Sequence, residues 1–246
     1  MRIRAMNGLA LGALMWSIGG CGDSDMGDVS LQLATRGPAS IATGEPGQLI
    51  ITSGPDEIVV DEVQLVLRKV RLDGAPTASC PADAEGDSQC AGLRLGPALF
   101  DLPLEEGAEP IFSAAVPVGT YNRIKFQIHR PTNATEDADF LADHPDLEDI
   151  SIRVLGSYNG TPFIFASDLT EVEDVVLVEP AEVVAEEELQ VTLHVDVTGW
   201  FANEGGTGLV DPSQANDGGP FESLVERQIR ESFRAFQDED LDGAAD

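Results

Sequence analysis

The stretch Leu189-Gln190-Val191-Thr192-Leu193-His194-Val195-Asp196-Val197-Thr198-Gly199-Trp200 decides the fold class. Leu189, Val191, Leu193, Val195 and Val197 alternate with Gln190, Thr192, His194, Asp196 and Thr198. Strand side chains point to opposite faces with period two, so one face is apolar and the other polar. A helix would scatter these residues around its circumference, and the β-branched content favours a strand. This reads as a central strand of an antiparallel sheet with one face in a core and the other in water.

Working outward, the same alternation recurs. Ile124, Phe126 and Ile128 oppose Arg123, Lys125, Gln127 and His129, and Ile150, Ile152 and Val154 form another alternating set. Within Ile58–Leu72 the apolar parity switches near Arg68-Lys69, which predicts a strand with a bulge there. Asn159-Gly160 between Tyr158 and Thr161 predicts a hairpin with a type I′ turn. Shorter strands are expected at Val29–Ala34, Leu49–Thr52 and Val172–Val178, with one or two broken strands around Gly96-Pro97. Pro131 to Asp146 reads as a polar loop. Phe221, Leu224, Val225, Ile229, Phe233 and Phe236 make an apolar stripe, and Pro220 suits a first helical position, so a helix is expected over 220–237. The expected class is therefore all-β, an antiparallel β-sandwich with one C-terminal amphipathic helix. Residues 29–246 form its single domain, ending in an acidic tail over 238–246.

The N-terminus carries Arg2 and Arg4, a short apolar run over Leu9–Trp16, and Ile18-Gly19-Gly20-Cys21. This is the pattern of an export signal over residues 1–20, with an apolar run too short for the roughly 20 residues of a membrane span. Ile18-Gly19-Gly20-Cys21 resembles the bacterial lipobox, which implies a diacylated Cys21 and attachment to a lipid bilayer. Residues 21–28, rich in Gly and Asp, then serve as a flexible tether. Cys80 and Cys90 flank a polar stretch. In an exported protein they are expected to form a disulfide contributing about 2–3 kcal/mol.

The formal charge is −30, and loss of Arg2 and Arg4 with the leader makes it more negative still. Such a chain is repelled by nucleic acid and by anionic lipid surfaces. Arg68, Lys69, Arg71, Arg123, Lys125, Arg130 and Arg153 cluster on or beside strands. Pairing with cross-strand acids is the favoured reading of this strip; a surface for an anionic polymer is the other.

Three segments resemble a family of bacterial lipoproteins, the domain-of-unknown-function 4382 type. They are Asp61–Leu72 (DEVQLVLRKVRL), Val116–Ile128 (VPVGTYNRIKFQI) and the lipobox start. The resemblance spans roughly residues 28 to 198 and implies a small β-rich exported domain without established enzymatic activity.

Catalytic motifs are absent from the sequence. It has no Gly-x-Ser-x-Gly elbow and no Gly-rich phosphate loop, and Cys80 and Cys90 lack a neighbouring histidine. His129 and His194 read as separate surface residues, and His144 as solvated. The chain is expected to be a non-enzymatic binding or structural module of the cell envelope, with an envelope polymer or protein as partner. The competing reading, an envelope-polymer hydrolase or metal-handling protein, requires His129, His194 and acids gathered in one pocket.

Asp238-x-Asp240-x-Asp242-Gly243 resembles the first half of an EF-hand calcium loop, with Asp246 at the ninth position. Three readings stand for this segment: a calcium site of about 10⁻⁴–10⁻³ M affinity formed by Asp238, Asp240, Asp242 and Asp246, a solvated acidic tail, or a tail folded back onto Arg227, Arg230 and Arg234.

Overall fold

The computed structural model describes residues 26–35, 47–74, 92–94 and 96–246. In chain order the strands are β1 (Met26–Ala34), β2 (Leu49–Ser53), β3 (Asp56–Gly74), β4 (Gly92–Arg94), β5 (Ala98–Asp101), β6 (Ala108–Pro117) and β7 (Gly119–Ile128). A short helix α1 (Ala138–Asp143) precedes β8 (Ile152–Tyr158), β9 (Thr161–Ser167), β10 (Glu171–Val183) and β11 (Glu188–Val195). Helix α2 (Glu222–Glu231) and strand β12 (Phe233–Gln237) complete the order. The expected leader and Cys21, and the expected Cys80–Cys90 bridge, lie outside the described residues.

The all-β expectation holds. The antiparallel one does not: the strands join one curled, mixed sheet in the order β6-β1-β11-β12-β10-β7-β3-β8-β9. β1 lies parallel to β11, and β10 parallel to β12. The reason is positional. β11 and β10 are neighbours in the chain yet stand apart in the sheet, because β12 pairs with both, antiparallel to β11 and parallel to β10.

The helix over 220–237 is shorter than expected. It stops at Glu231, and Phe233–Gln237 are strand. Phe233 and Phe236 fit both a helical stripe and a strand carrying aromatics on opposite faces. Pairing with two strands satisfies their backbone groups, and that decides. Ser232 marks the break: its hydroxyl turns back to donate to Ile229 O at 2.7 Å, while its own carbonyl accepts from Asp196 N–H. What remains of the stripe, Val225 and Ile229, is buried in the main core.

β3 is the spine. β8 and β7 pair along one side, and β2, β5 and β4 along the other. Such a long strand serves two halves of a curled sheet only by bending. The bulge expected near Arg68-Lys69 is present: the register shifts between Arg68 and Arg71, and Lys69 takes φ 54°. A second shift between Val60 and Glu62 moves the core face from Ile58 and Val60 to Val63 and Leu65. The Asn159-Gly160 hairpin also forms, with φ of 49° and 76° as a type I′ turn requires. β10 runs on through Pro180, where a register shift against β7 accommodates the missing N–H.

Inside the curl, Phe126 meets Phe233 edge-on at 5.0 Å, and Phe201 meets Phe165 at 5.4 Å. Trp200 is fully enclosed among them in the same core. The Pro131–Asp146 segment is more ordered than a polar loop. It carries α1, whose Phe140 packs with Leu147 on Val66 to form a small second core on the outer side of β3. On the edge strand β9, Asn216 acts as a surrogate strand residue. It accepts from Ala166 N–H at 2.7 Å and donates to Ile164 O at 3.2 Å, which blunts an edge open to aggregation.

Candidate metal centre at the C-terminus

The polar face of β11 is not a wet face. Thr192 is fully buried, and so is Asp238, the first residue after β12. The antiparallel register sets Thr192 opposite Phe236, two residues before Asp238. The chain after Phe236 turns over this face, and Leu241 O accepts from Ala108 N–H at 3.0 Å, tying the turn to the start of β6.

Within the turn the three aspartates converge. Carboxylate oxygens of Asp238, Asp240 and Asp242 all lie within 4.8 Å of one another. Asp238 Oδ2 accepts from Thr192 Oγ1 and from Gly243 N–H, each at 3.1 Å, while its Oδ1 accepts from Asp242 N–H at 3.2 Å. Asp240 Oδ1 also accepts from Asp242 N–H, and Asp242 Oδ1 from Ala244 N–H. Leu241 and Gly243 have φ of 62° and 82°, so the chain doubles back tightly enough to bring alternate side chains to one point. The alternating Asp spacing performs the geometric task for which it was singled out. Asp246 stands outside the trio; its carboxylate accepts from Glu239 N–H at 2.6 Å.

Electrostatically the turn is under tension. Burial, assisted by the neighbouring charge of Asp242, pushes the Asp238 carboxyl up, and the bonds from Thr192, Gly243 and Asp242 only partly offset that. A cation among the three carboxylates would remove both the desolvation and the repulsion. The group could hold a metal ion.

A second group that could do so, Asp168 with Glu222 and Glu226, was not singled out in the sequence. The i,i+4 spacing of Glu222 and Glu226 on α2 is a legible signal, but Asp168 comes from the loop after β9, and only the packing of α2 brings it in. These carboxylates are already engaged: Asp168 by Arg130 at 2.7 Å, Glu222 by Gly218 N–H at 2.8 Å, and Glu226 by the Ser167 hydroxyl at 3.3 Å.

The histidines do not gather. His129 directly follows β7 and His194 lies on β11, and β10 and β12 stand between those two strands. His129 is no surface residue: at 4% exposure its Nε2 meets Asp137 Oδ1 at 2.7 Å, and Asp137 is exposed by only 1%. Burial alone would raise Asp137. Bonds from Thr132 N–H and His129, with the charges of His129 and Arg68, leave it lowered instead. His194 is half-buried beside Phe236, and burial lowers its pKa, with Asp196 opposing and Arg234 adding to the effect. His144 tilts against Phe140 at 4.9 Å.

Five of the seven residues of the basic strip are matched by acids: Arg68 with Glu136, Arg123 with Asp174, Lys125 with Asp73, Arg130 with Asp168, and Arg153 with Asp146; Lys69 and Arg71 form no ion pair among the described residues. Arg234 does not fold onto the acidic turn; its guanidinium donates to the carbonyls of Glu231 and Phe233. Arg230 pairs with Glu226 at 3.5 Å.

No family model, no curated protein and no solved structure matches this chain.

Proposed function

We propose that this protein is an exported, lipid-anchored β-domain that works by binding rather than by catalysis, and that its C-terminal turn takes up calcium. The observation that carries the calcium reading is the convergence of Asp238, Asp240 and Asp242 around one point while Asp238 is sealed from water. Three hard oxygen donors without nitrogen or sulfur suit calcium better than zinc. A carboxylate held in the interior with its pKa raised gains most from a divalent partner. The export signal, the lipobox around Cys21 and the resemblance of the Asp61–Leu72 and Val116–Ile128 segments to envelope lipoproteins support the placement at a membrane surface. The non-catalytic reading is supported by the His129–Asp137 pair, a combination suited to proton transfer that here is closed off from substrate and spent on fixing the start of a loop.

Thermal unfolding tests the calcium reading. Millimolar calcium should raise the melting temperature of the wild type, and most of that rise should vanish in the triple variant Asp238→Asn, Asp240→Asn, Asp242→Asn. An equal rise in both proteins would assign the effect to general acidity. The anchor is tested separately: Cys21→Ser should move the protein from the membrane to the soluble fraction, and unchanged fractionation would sink that part.

A further inference from the structure

β5 and β6 each have a strand on one side only among the described residues, β3 and β1 respectively. Residues of both strands, Leu99 and Phe100 of β5 and Ile111 and Phe112 of β6, line an open groove of about 630 Å³ together with Asp139, Phe140 and Asp143 of α1. An unpaired strand edge presents N–H and C=O groups that an extended chain can meet, and sheets are extended by partner peptides in this way.

The groove has two chemistries. Its floor is apolar, with Phe100, Ile111, Phe112 and Phe140 contributing, and Phe100 and Phe112 face each other at 6.4 Å. Its rim is acidic, with Glu136, Asp139 and Asp143 along the α1 side and no lysine or arginine lining it among the described residues. Glu136 is paired with Arg68, whereas Asp139 and Asp143 have no ion-pair partner among the described residues. The rim therefore sets unpaired negative charge directly beside apolar surface, on a chain whose 44 acids outnumber its 14 bases.

We propose that this groove binds an extended peptide segment of a partner protein in which apolar and basic side chains alternate. In an extended chain successive side chains point to opposite sides. One set would enter the apolar floor, the other would reach the carboxylates of Asp139 and Asp143, and the backbone would run along the strand edges. The charge of the rim selects the sign of the partner, and the floor separates a peptide ligand from a diffuse cloud of cations. The site lies on the α1 side of the sheet and involves none of the three aspartates of the C-terminal turn.

Fluorescence anisotropy with a labelled Lys-Val-Lys-Val-Lys-Val-Lys peptide and the purified full-length protein tests this. The peptide should bind, and Asp139→Asn with Asp143→Asn should weaken it roughly tenfold or more, while Glu186→Gln with Glu187→Gln, an equal loss of charge elsewhere, should change it little. A Lys-Gly-Lys-Gly-Lys-Gly-Lys peptide of the same charge should bind at least about tenfold more weakly. Absence of binding, equal weakening by both variant pairs, or equal affinity for the glycine peptide would each overturn the proposal. The last two would leave only the general attraction of an acidic protein for cations.

Discussion

The hydroxyl of Thr192 donates to the carboxylate of Asp238 at 3.1 Å, and neither side chain has any contact with solvent. One residue belongs to the strand whose alternation predicts a polar face in water, the other to the acidic segment that follows β12. Their bond fixes the end of β12 under the acidic turn, so the candidate metal centre and the closing strand of the sheet are mechanically one unit. Anything that disturbs the turn should be felt in the pairing of β12 with β11.

Thr192→Val keeps the shape and removes the donor. It leaves a buried carboxylate with one partner fewer, which should cost about 1–3 kcal/mol. Urea unfolding in chelator measures this. An unchanged midpoint would show that the hydroxyl contributes nothing.

Asp238 and Asp137 should respond to pH with opposite signs. The folded-state pKa of Asp238 is raised, so its folded form holds a proton where the unfolded chain has released it. Its contribution to stability is greatest in acid and falls as pH rises through the ordinary carboxylate value toward the raised one. The pKa of Asp137 is lowered, so its contribution is present above the ordinary value and is lost as pH falls through the lowered one. In chelator, wild type minus Asp238→Asn stability should decline as pH rises above about 4, whereas wild type minus Asp137→Asn should rise with pH below about 4 and level off above it. Two differences of the same sign would contradict the assignment.

Lys69 occupies the bulge of β3 at φ 54°, a left-handed conformation that costs an ordinary side chain about 1–2 kcal/mol. Lys69→Gly should therefore be neutral or stabilising despite the added freedom of the unfolded chain, and Lys69→Val destabilising. Melting temperatures ordered Gly at or above Lys, and Lys above Val, are the expected result.

Trp200 is enclosed in the core, yet its indole N–H has no partner among the described residues. Trp200→Ala should cost about 3–5 kcal/mol through the cavity it opens. Trp200→Phe should cost far less, because it also removes an unsatisfied buried donor. Comparable losses in the two variants by chemical denaturation would mean that the indole N–H is satisfied after all.

The features legible in the sequence are those that neighbours along the chain decide. Alternation over Leu189–Val195 and Ile124–Ile128 placed strands and their core faces. The parity switch at Arg68-Lys69 placed a bulge, Asn159-Gly160 a hairpin, and the Asp238–Gly243 spacing a turn that gathers carboxylates. Each depends on side-chain period or on the backbone preferences of two or three residues, and these act locally. What covers a face, and which strand lies beside which, is not written in a period. Gln190, Thr192 and His194 read as solvent-facing because polarity alternates there, but the fold lays the C-terminal turn over that face and gives Thr192 a buried acid as its partner. His129 met Asp137 only once the loop after β7 had packed back. Phe233 to Gln237 satisfied both a helical and an extended pattern, and the choice fell to tertiary structure. Pairing of all five residues with β11, and of Ala235 with Leu177 of β10, gives this segment backbone partners outside the helix and places Phe233 and Ala235 in the core. The insertion of β12 also supplies one of the two parallel pairs of the sheet, β10 with β12, since a strand lying between two others can oppose one and follow the other. The second, β1 with β11, arises where β1 joins the far side of β11.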